Sequence, residues 1–371
     1  MRFMLLCFLS VSHLYSTPND TISERIAAPG AILRHYHLSG PNVVNVLEID
    51  LKNPHLRLES FRPAKLLPIT GHAVQNSRPD HKVIAAINAD FFSFESGWPV
   101  NSQVAQGEPI AAKNFGRSEI AIDPLNRIAI SPFSFSGVAM IGDSLLYDIK
   151  GVNSGCPKDG AVLFTSRRDS LTLRDSANAF LRLRRVSPAW SLDDSMQFEI
   201  VEACSFSVWK LRDDECLLAA RNAASLVERA NKGDLMKLFL HFSPIPFHPT
   251  ELLSGWGRLL REGANIAAQA DTNEGLSAKF TAVLHPRTFV GLNADSTRLF
   301  LCTVDGRQSS SIGMTFRDMA AFLLQIGATD GFNLDGGGST EMVVNGEIIN
   351  SPSDKAGERP VANSLQVIWR E

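Results

Sequence analysis

Three aspartates and three arginines of this chain stand at the ends of strand-like runs, beside glycines and hydroxyl residues: Asp90, Asp305 and Asp335, with Arg287, Arg307 and Arg359. Carboxylates in unlike surroundings supply acid–base or nucleophilic attack at an anomeric carbon. The planar arginine fork suits bidentate recognition of phosphate. The densest stretch is Asn333-Leu334-Asp335-Gly336-Gly337-Gly338-Ser339-Thr340. Three consecutive glycines lose much backbone freedom on folding, so they belong where a side chain would obstruct a close approach or where φ is positive. Their exposed N–H groups can hold an anion. Taken alone, the run also reads as a β-hairpin turn. Asp335, Asn333 and nearby carbonyls could instead hold Ca²⁺ or Mg²⁺.

Four further segments join a buried-looking strand to polar residues. Asn88-Ala89-Asp90 follows the apolar run 83–87, and alternation puts Asn88 and Asp90 on one face. His285-Pro286-Arg287-Thr288 follows 281–284, Asp305-Gly306-Arg307 follows 300–304, and Glu358-Arg359-Pro360-Val361-Ala362-Asn363 precedes the last strand. Each alone is an ordinary strand-end turn, since Asp-Gly favours turns and loop arginines are usually solvated. As a set they fit a site held at the end of a rigid sheet. His285, before a proline, reads as structural. The glycine run is neither GxxxxGK[ST] nor GxGxxG, and no GxSxG elbow occurs. No Cys/His spacing points to zinc.

Short strands dominate the elements that must position these residues. Alternating or apolar runs occur at 43–51, 56–61, 83–87, 120–123, 128–130, 133–141 and 161–165. More follow at 198–201, 208–211, 235–242, 281–284, 299–304, 332–334, 342–344 and 365–369. Helices are predicted at 219–231 and 315–326. Thr315 and Asp318 form a capping-box pair for the second, and Gly327 sits just past its end. Strands and helices intermix without strict βαβ alternation. That pattern predicts an α+β fold with one large mixed or antiparallel sheet, a few packed helices and a single catalytic domain over 41–371.

Composition is that of a globular chain, with 371 residues, 44% hydrophobic, 20% charged and a net charge of −3. No Lys/Arg stripe invites nucleic acid, and no apolar run is long enough for a transmembrane anchor. The N-terminus differs. Arg2 precedes an apolar stretch over 3–9, and Ser16-Thr17-Pro18 offers a small-residue exit. This predicts a signal peptide at 1–16, a linker at 17–40 and a secreted or periplasmic destination. Without Cys7, four cysteines remain. Cys204 and Cys216 flank a possible hairpin and could form a disulfide, or all four could be buried thiols.

Taken in order, HPRTFVGL, TVDGR, the capped helix, NLDGGGST, NGEIINSPSD and RPVANSLQV resemble the phosphodiester glycosidase family. The similarity runs from about residue 43 to the end and is densest over 281–369. It implies hydrolysis of a glycosyl phosphodiester, releasing the sugar held through its anomeric oxygen, by an exported protein of exopolysaccharide-related type. Carried over, the resemblance implies catalytic Asp335, Asp305 and Asp90. It places substrate-binding groups at Asn88, Arg287, Thr288, Arg307, Asn333, Gly336, Gly337, Gly338, Ser339, Thr340 and Arg359. It requires no cofactor with certainty, Ca²⁺ or Mg²⁺ staying open. The chain departs from the family pattern at Ala89-Asp90, where members often carry two glycines, and over 166–200. Two other functions fit the same residues: a non-catalytic binder of envelope polysaccharide, and a metal-dependent phosphodiesterase.

Overall fold

The computed structural model describes residues 21–371 except 143, 169–178, 205–209 and 222–227. Strands take up 48% of the molecule and helices 11%. This corrects the α+β expectation: the fold is mostly β, built from several sheets and a barrel rather than one large sheet.

One eight-stranded sheet runs in the order Thr21–Ala28, Ala31–Leu38, Asn42–Asp50, Arg298–Val304, Arg287–Asn293, Ala328–Asn333, Arg258–Arg261 and Ala264–Asn265. A five-stranded sheet runs Glu347–Ile348, Met342–Val344, Lys82–Asn88, Ser364–Trp369, Leu56–Phe61. A second runs Glu108–Ala111, Gln103–Ala105, Glu251–Ser254, Glu119–Ile122, Ile128–Ser131. Apolar side chains from all three meet in one core, including Leu47, Ile49, Leu301, Ile87, Met342, Ile120 and Leu253. The helix Phe316–Gln325 covers the outer face of the eight-stranded sheet, and Ile69–Asn76 covers the first five-stranded sheet. The first helix has the expected capping box, and Gly327 takes φ +93° just beyond it.

The remaining strands close a barrel: Ser134–Ile141, Ser144–Val152, Ala161–Thr165, Glu215–Ala220, Ala179–Arg185, Ser195–Cys204 and Leu235–Ser243. Strict alternation explains it. Met236, Leu238, Leu240 and Phe242 point inward from one strand, while its other residues face out or lie half-buried. Closure removes the exposed edges that an open sheet would leave.

Several local expectations change. Residues 21–38, within the stretch read as a linker, form two strands paired with the eight-stranded sheet. The segment 281–284 is not a strand, because Ala278–Ala282 is a helix capped by the Ser277 hydroxyl. Ala219 and Ala220 end a barrel strand instead of opening a helix, and 222–227 lie outside the described residues. The segment 1–16, read as a signal peptide, lies wholly outside them. Cys216 is a buried free thiol. The strand Ala179–Arg185 separates it from the strand of Cys204, so the two backbones stand two strand spacings apart, about 10 Å, beyond disulfide reach. Among the described residues, no helix is long and apolar enough to cross a membrane.

Candidate functional site

Strand register brings the polar segments to one end of the packed sheets. Arg287 pairs with Val304, so His285–Thr288 and Asp305–Arg307 are neighbours. Phe289 pairs with Asn333, which adds the glycine run. Asn88 pairs with Ser364 in the facing sheet, which adds Asp90 and the 358–363 segment. The glycine run does not turn a hairpin. It leaves Ala328–Asn333 in the eight-stranded sheet and enters Met342–Val344 in the five-stranded sheet, with one 3₁₀ turn at Gly337–Ser339.

The glycines are where three arginines pack. A Cβ on Gly336 would lie 3.6 Å from both Cα and Cδ of Arg287, and one on Gly337 would lie 3.0 Å from Arg307 Nη2. Gly337 also has φ +66°, which L side chains rarely adopt. At Gly338 a Cβ would overlap the Asp354 carboxylate and the Arg359 guanidinium. A side chain at Gly337 or Gly338 would therefore run into a guanidinium group, and one at Gly336 into the Pro286 carbonyl.

The arginines differ in what they present. Arg287 is 1% exposed. It donates from Nε to the Met314 carbonyl at 3.2 Å, and from Nη2 to the Phe280 and Val283 carbonyls at 2.9 Å each. Its guanidinium lies between the Phe280 and Phe316 rings, 4.9 and 5.1 Å from their centroids. Burial, then the Arg307 charge, lowers its pKa to about 10, which leaves it cationic at neutral pH. Arg307 is exposed and donates to the Ser353 hydroxyl at 3.5 Å. Arg359 is partly exposed; it pairs with Asp354 at 2.6 Å and donates to the Ser339 hydroxyl at 3.4 Å.

The carboxyls also separate. Asp90 is buried, with Oδ2 accepting from Asn101 N at 2.9 Å and Oδ1 from Asn101 Nδ2 at 2.6 Å. Burial raises its pKa to about 8, and the Asp335 charge pushes the same way. Lys113 opposes that shift. Asp335 is half-buried, accepts from Gly336 N at 2.9 Å, and is raised by burial to about 6. The Ser339 hydroxyl, the Gly336 N–H and Arg359 act in the opposite direction on it. Asp335 N donates to the Ala89 carbonyl at 2.8 Å, which sets these two acids side by side. Asp305, raised by burial to about 6, turns elsewhere. Its Oδ1 accepts from Ser351 N at 3.0 Å and anchors the loop that carries Ser353 and Asp354.

Other candidates hold the frame. Asn88 donates to the Asp335 carbonyl at 2.6 Å, while its Oδ1 accepts from the Thr288 hydroxyl at 2.6 Å and from Glu341 N at 3.0 Å. Asn88 and Asp90 thus address different partners. Two members of the set, Asn333 Oδ1 and Thr340 Oγ1, are buried without a hydrogen-bond partner among the described residues. Buried polar atoms are rarely left so. Among the described residues, no group of three or more His, Cys, Asp or Glu side chains is placed to hold a metal ion.

Sequence reasoning missed several members of this neighbourhood. Asn101, which clamps Asp90, receives 2.5 Å from Arg117 Nη1, and that guanidinium stacks 3.5 Å from the Trp256 ring centre. Glu341 is raised to about 9 by burial and by Glu358. Asn101 looks like a loop residue, and Glu341 like the polar position of a strand. Of these, Glu358 alone lay in a segment already singled out.

A phosphodiester glycosidase family model matches residues 216–368, and the resemblance drawn from the motifs holds for this part of the chain. The SPbeta prophage-derived uncharacterized protein YomE of Bacillus subtilis is 38% identical over 111 residues, 30% of this chain and 16% of that one. Mouse N-acetylglucosamine-1-phosphodiester alpha-N-acetylglucosaminidase is 38% identical over 118 residues, 29% of this chain and 22% of the mouse protein. The chain therefore spans about a fifth of the length of these curated relatives. Among solved structures, a hypothetical protein from Synechocystis superposes with TM-score 0.73 at 20% identity, covering 94% of this chain and 64% of that one. A protein from Burkholderia pseudomallei described as exported gives 0.66 at 20% identity, covering 88% and 74%. These two share its fold.

Proposed function

We propose that the chain is a phosphodiester glycosidase that cleaves the bond between an anomeric carbon and a phosphodiester oxygen. The carrying observation is that Arg307 and Arg359 flank the glycine run beside two acids, the buried Asp90 and the half-buried Asp335. In this reading Arg307, Arg359 and glycine N–H groups hold the phosphoryl oxygens. Arg287 adds positive potential from beneath and keeps the floor rigid. Asp90, neutral below pH of about 8, gives its proton to the departing phosphate oxygen as the C–O bond breaks. Asp335, ionised above about 6, attacks the anomeric carbon or removes a proton from the water that does. The products are the free sugar and a phosphate monoester. Asp305 serves by holding the Ser351–Asp354 loop. Export from the cytoplasm fits this reading, because the Burkholderia structural neighbour is described as exported.

Two tests follow from this geometry. Hydrolysis of UDP-sugars or aryl sugar-1-phosphodiesters in ¹⁸O water should place label in the sugar. Label in the phosphate would mean P–O cleavage and a phosphodiesterase instead. The pH profile of kcat should be bell-shaped. Activity rises as Asp335 ionises near 6 and falls as Asp90 loses its proton near 8. Asp90→Asn should lower kcat by roughly 10²-fold and flatten the alkaline limb. An unchanged limb would remove Asp90 from this role.

Gly338→Ala tests the phosphate side. Its Cβ must displace the Asp354–Arg359 pair. KM for the phosphodiester should rise about tenfold, equivalent to about 1.4 kcal/mol, with the thermal midpoint little moved. Wild-type KM in a folded variant would separate Arg359 from substrate binding.

A further inference from the structure

A cavity of about 450 Å³ opens between the barrel and the two five-stranded sheets, lined by Arg62, Glu108, Arg167, Arg185, Trp190 and Asp213. That volume lies in the range of small-molecule sites. Its lining carries three guanidinium groups and two carboxylates. Glu108 is committed to Arg167, accepting from Nε at 2.8 Å and from Nη2 at 2.6 Å. Arg185 is not so committed: it donates to the Ser187 carbonyl at 2.9 Å, but its buried Nε has no partner among the described residues. A cavity lined by three guanidinium groups and an indole is a place for an anion carried on a ring.

The cavity is joined to the candidate site by one short segment. The Arg62 guanidinium stacks on Trp98, 4.0 Å from its ring centre, and Arg168 approaches the same ring at 5.5 Å. Three residues on, Asn101 clamps the Asp90 carboxyl. Lys113 Nζ donates to the carbonyls of Pro99 and Val100 between them, at 3.1 and 2.8 Å. A basic track of Lys113, Arg168 and Arg62 therefore leads from Asp90 to the cavity.

We propose that this cavity is a second subsite for an anionic saccharide segment beyond the scissile phosphodiester. The preferred substrate is then a chain with repeated negative charge rather than a single glycosyl phosphodiester. This rests on the functional reading above, so the test has one arm that needs no turnover. In that arm, a heparin-derived hexasaccharide serves as anionic glycan probe and maltohexaose as neutral control, with binding followed by calorimetry. Wild type and Asp335→Asn should bind the anionic probe alike and the neutral one at least tenfold more weakly. Arg185→Gln should raise the dissociation constant at least fivefold, Arg185→Lys should restore part of it, and Arg62→Gln serves if Arg185→Gln does not fold. Equal binding by wild type and the glutamine variant, or equal affinity for both glycans, overturns the subsite. In the second arm, Arg185→Gln should leave kcat/KM on an aryl sugar-1-phosphodiester unchanged. On a synthetic hexamer of phosphodiester-linked sugars it should lower kcat/KM about tenfold through KM. Absence of turnover on every substrate by wild type defeats the glycosidase reading, while the binding arm still decides the cavity.

Discussion

Asp335→Asn should reduce kcat on a sugar-1-phosphodiester by roughly 10³-fold or more, about 4 kcal/mol of transition-state stabilisation. The substitution is nearly isosteric, and Asp335 lies half-buried beside Gly336 N and the Ser339 hydroxyl. An amide oxygen can still accept from Gly336 N, so the glycine run should keep its course. Lost instead are the negative charge and the basicity. Substrate affinity should hold or improve, because removing a carboxylate from beside a bound phosphate relieves repulsion. Folding should be unimpaired, with stability close to wild type at low pH and improved over wild type above pH of about 6. The sign follows from linkage. Burial raises the Asp335 pKa to about 6, so the folded state favours the protonated acid, and that contribution is lost as pH rises through 6. A neutral amide keeps it. Steady-state kinetics with a urea titration at pH 5 and 8 would check both halves. Near-wild-type kcat in the variant would move the catalytic carboxylate elsewhere.

Arg287→Ala should act on stability first. The substitution leaves three buried carbonyl acceptors, those of Met314, Phe280 and Val283, without their donor, and it empties the space between two phenylalanine rings. Unsatisfied buried polar groups and a large cavity each cost on the order of a few kcal/mol, so a loss of about 4 kcal/mol is expected from the denaturant midpoint. Arg287→Lys should not rescue it, because a single ammonium cannot span the fork's partners or stack flat between the rings. Arg307→Ala should behave oppositely, with an unchanged midpoint and a raised KM, since Arg307 is exposed and bonds weakly to Ser353. If Arg287→Ala instead melted like wild type and lost only substrate affinity, its buried contacts would not be holding the floor.

These two residues show how far local pattern reaches. Asp335 could be singled out because a strand ending in a carboxylate and three glycines is rare for a physical reason, and that reason held: a side chain at Gly337 or Gly338 would run into a guanidinium group. Arg287 was named from the same kind of pattern, yet the pattern was silent on its direction. A strand alternates two faces, and which face meets Phe280 and Phe316 depends on a helix at Ala278–Ala282 that sequence reading took for a strand. The barrel stayed hidden for a similar reason. Its strands alternate like those of an open sheet, and closure depends on the pairing of Ser134–Ile141 with Leu235–Ser243, about a hundred residues apart.

From sequence alone came the residue types at the strand ends, the period-two strands, the capped helix and the family-like order of motifs, because each is written in neighbours along the chain. Tertiary structure alone decided which acids are buried together, which arginines face solvent, that Asp305 serves a loop, and that Asn101 clamps Asp90. Protonation and side-chain direction follow from burial and from charges on distant segments, and those distances exist only once the sheets have packed.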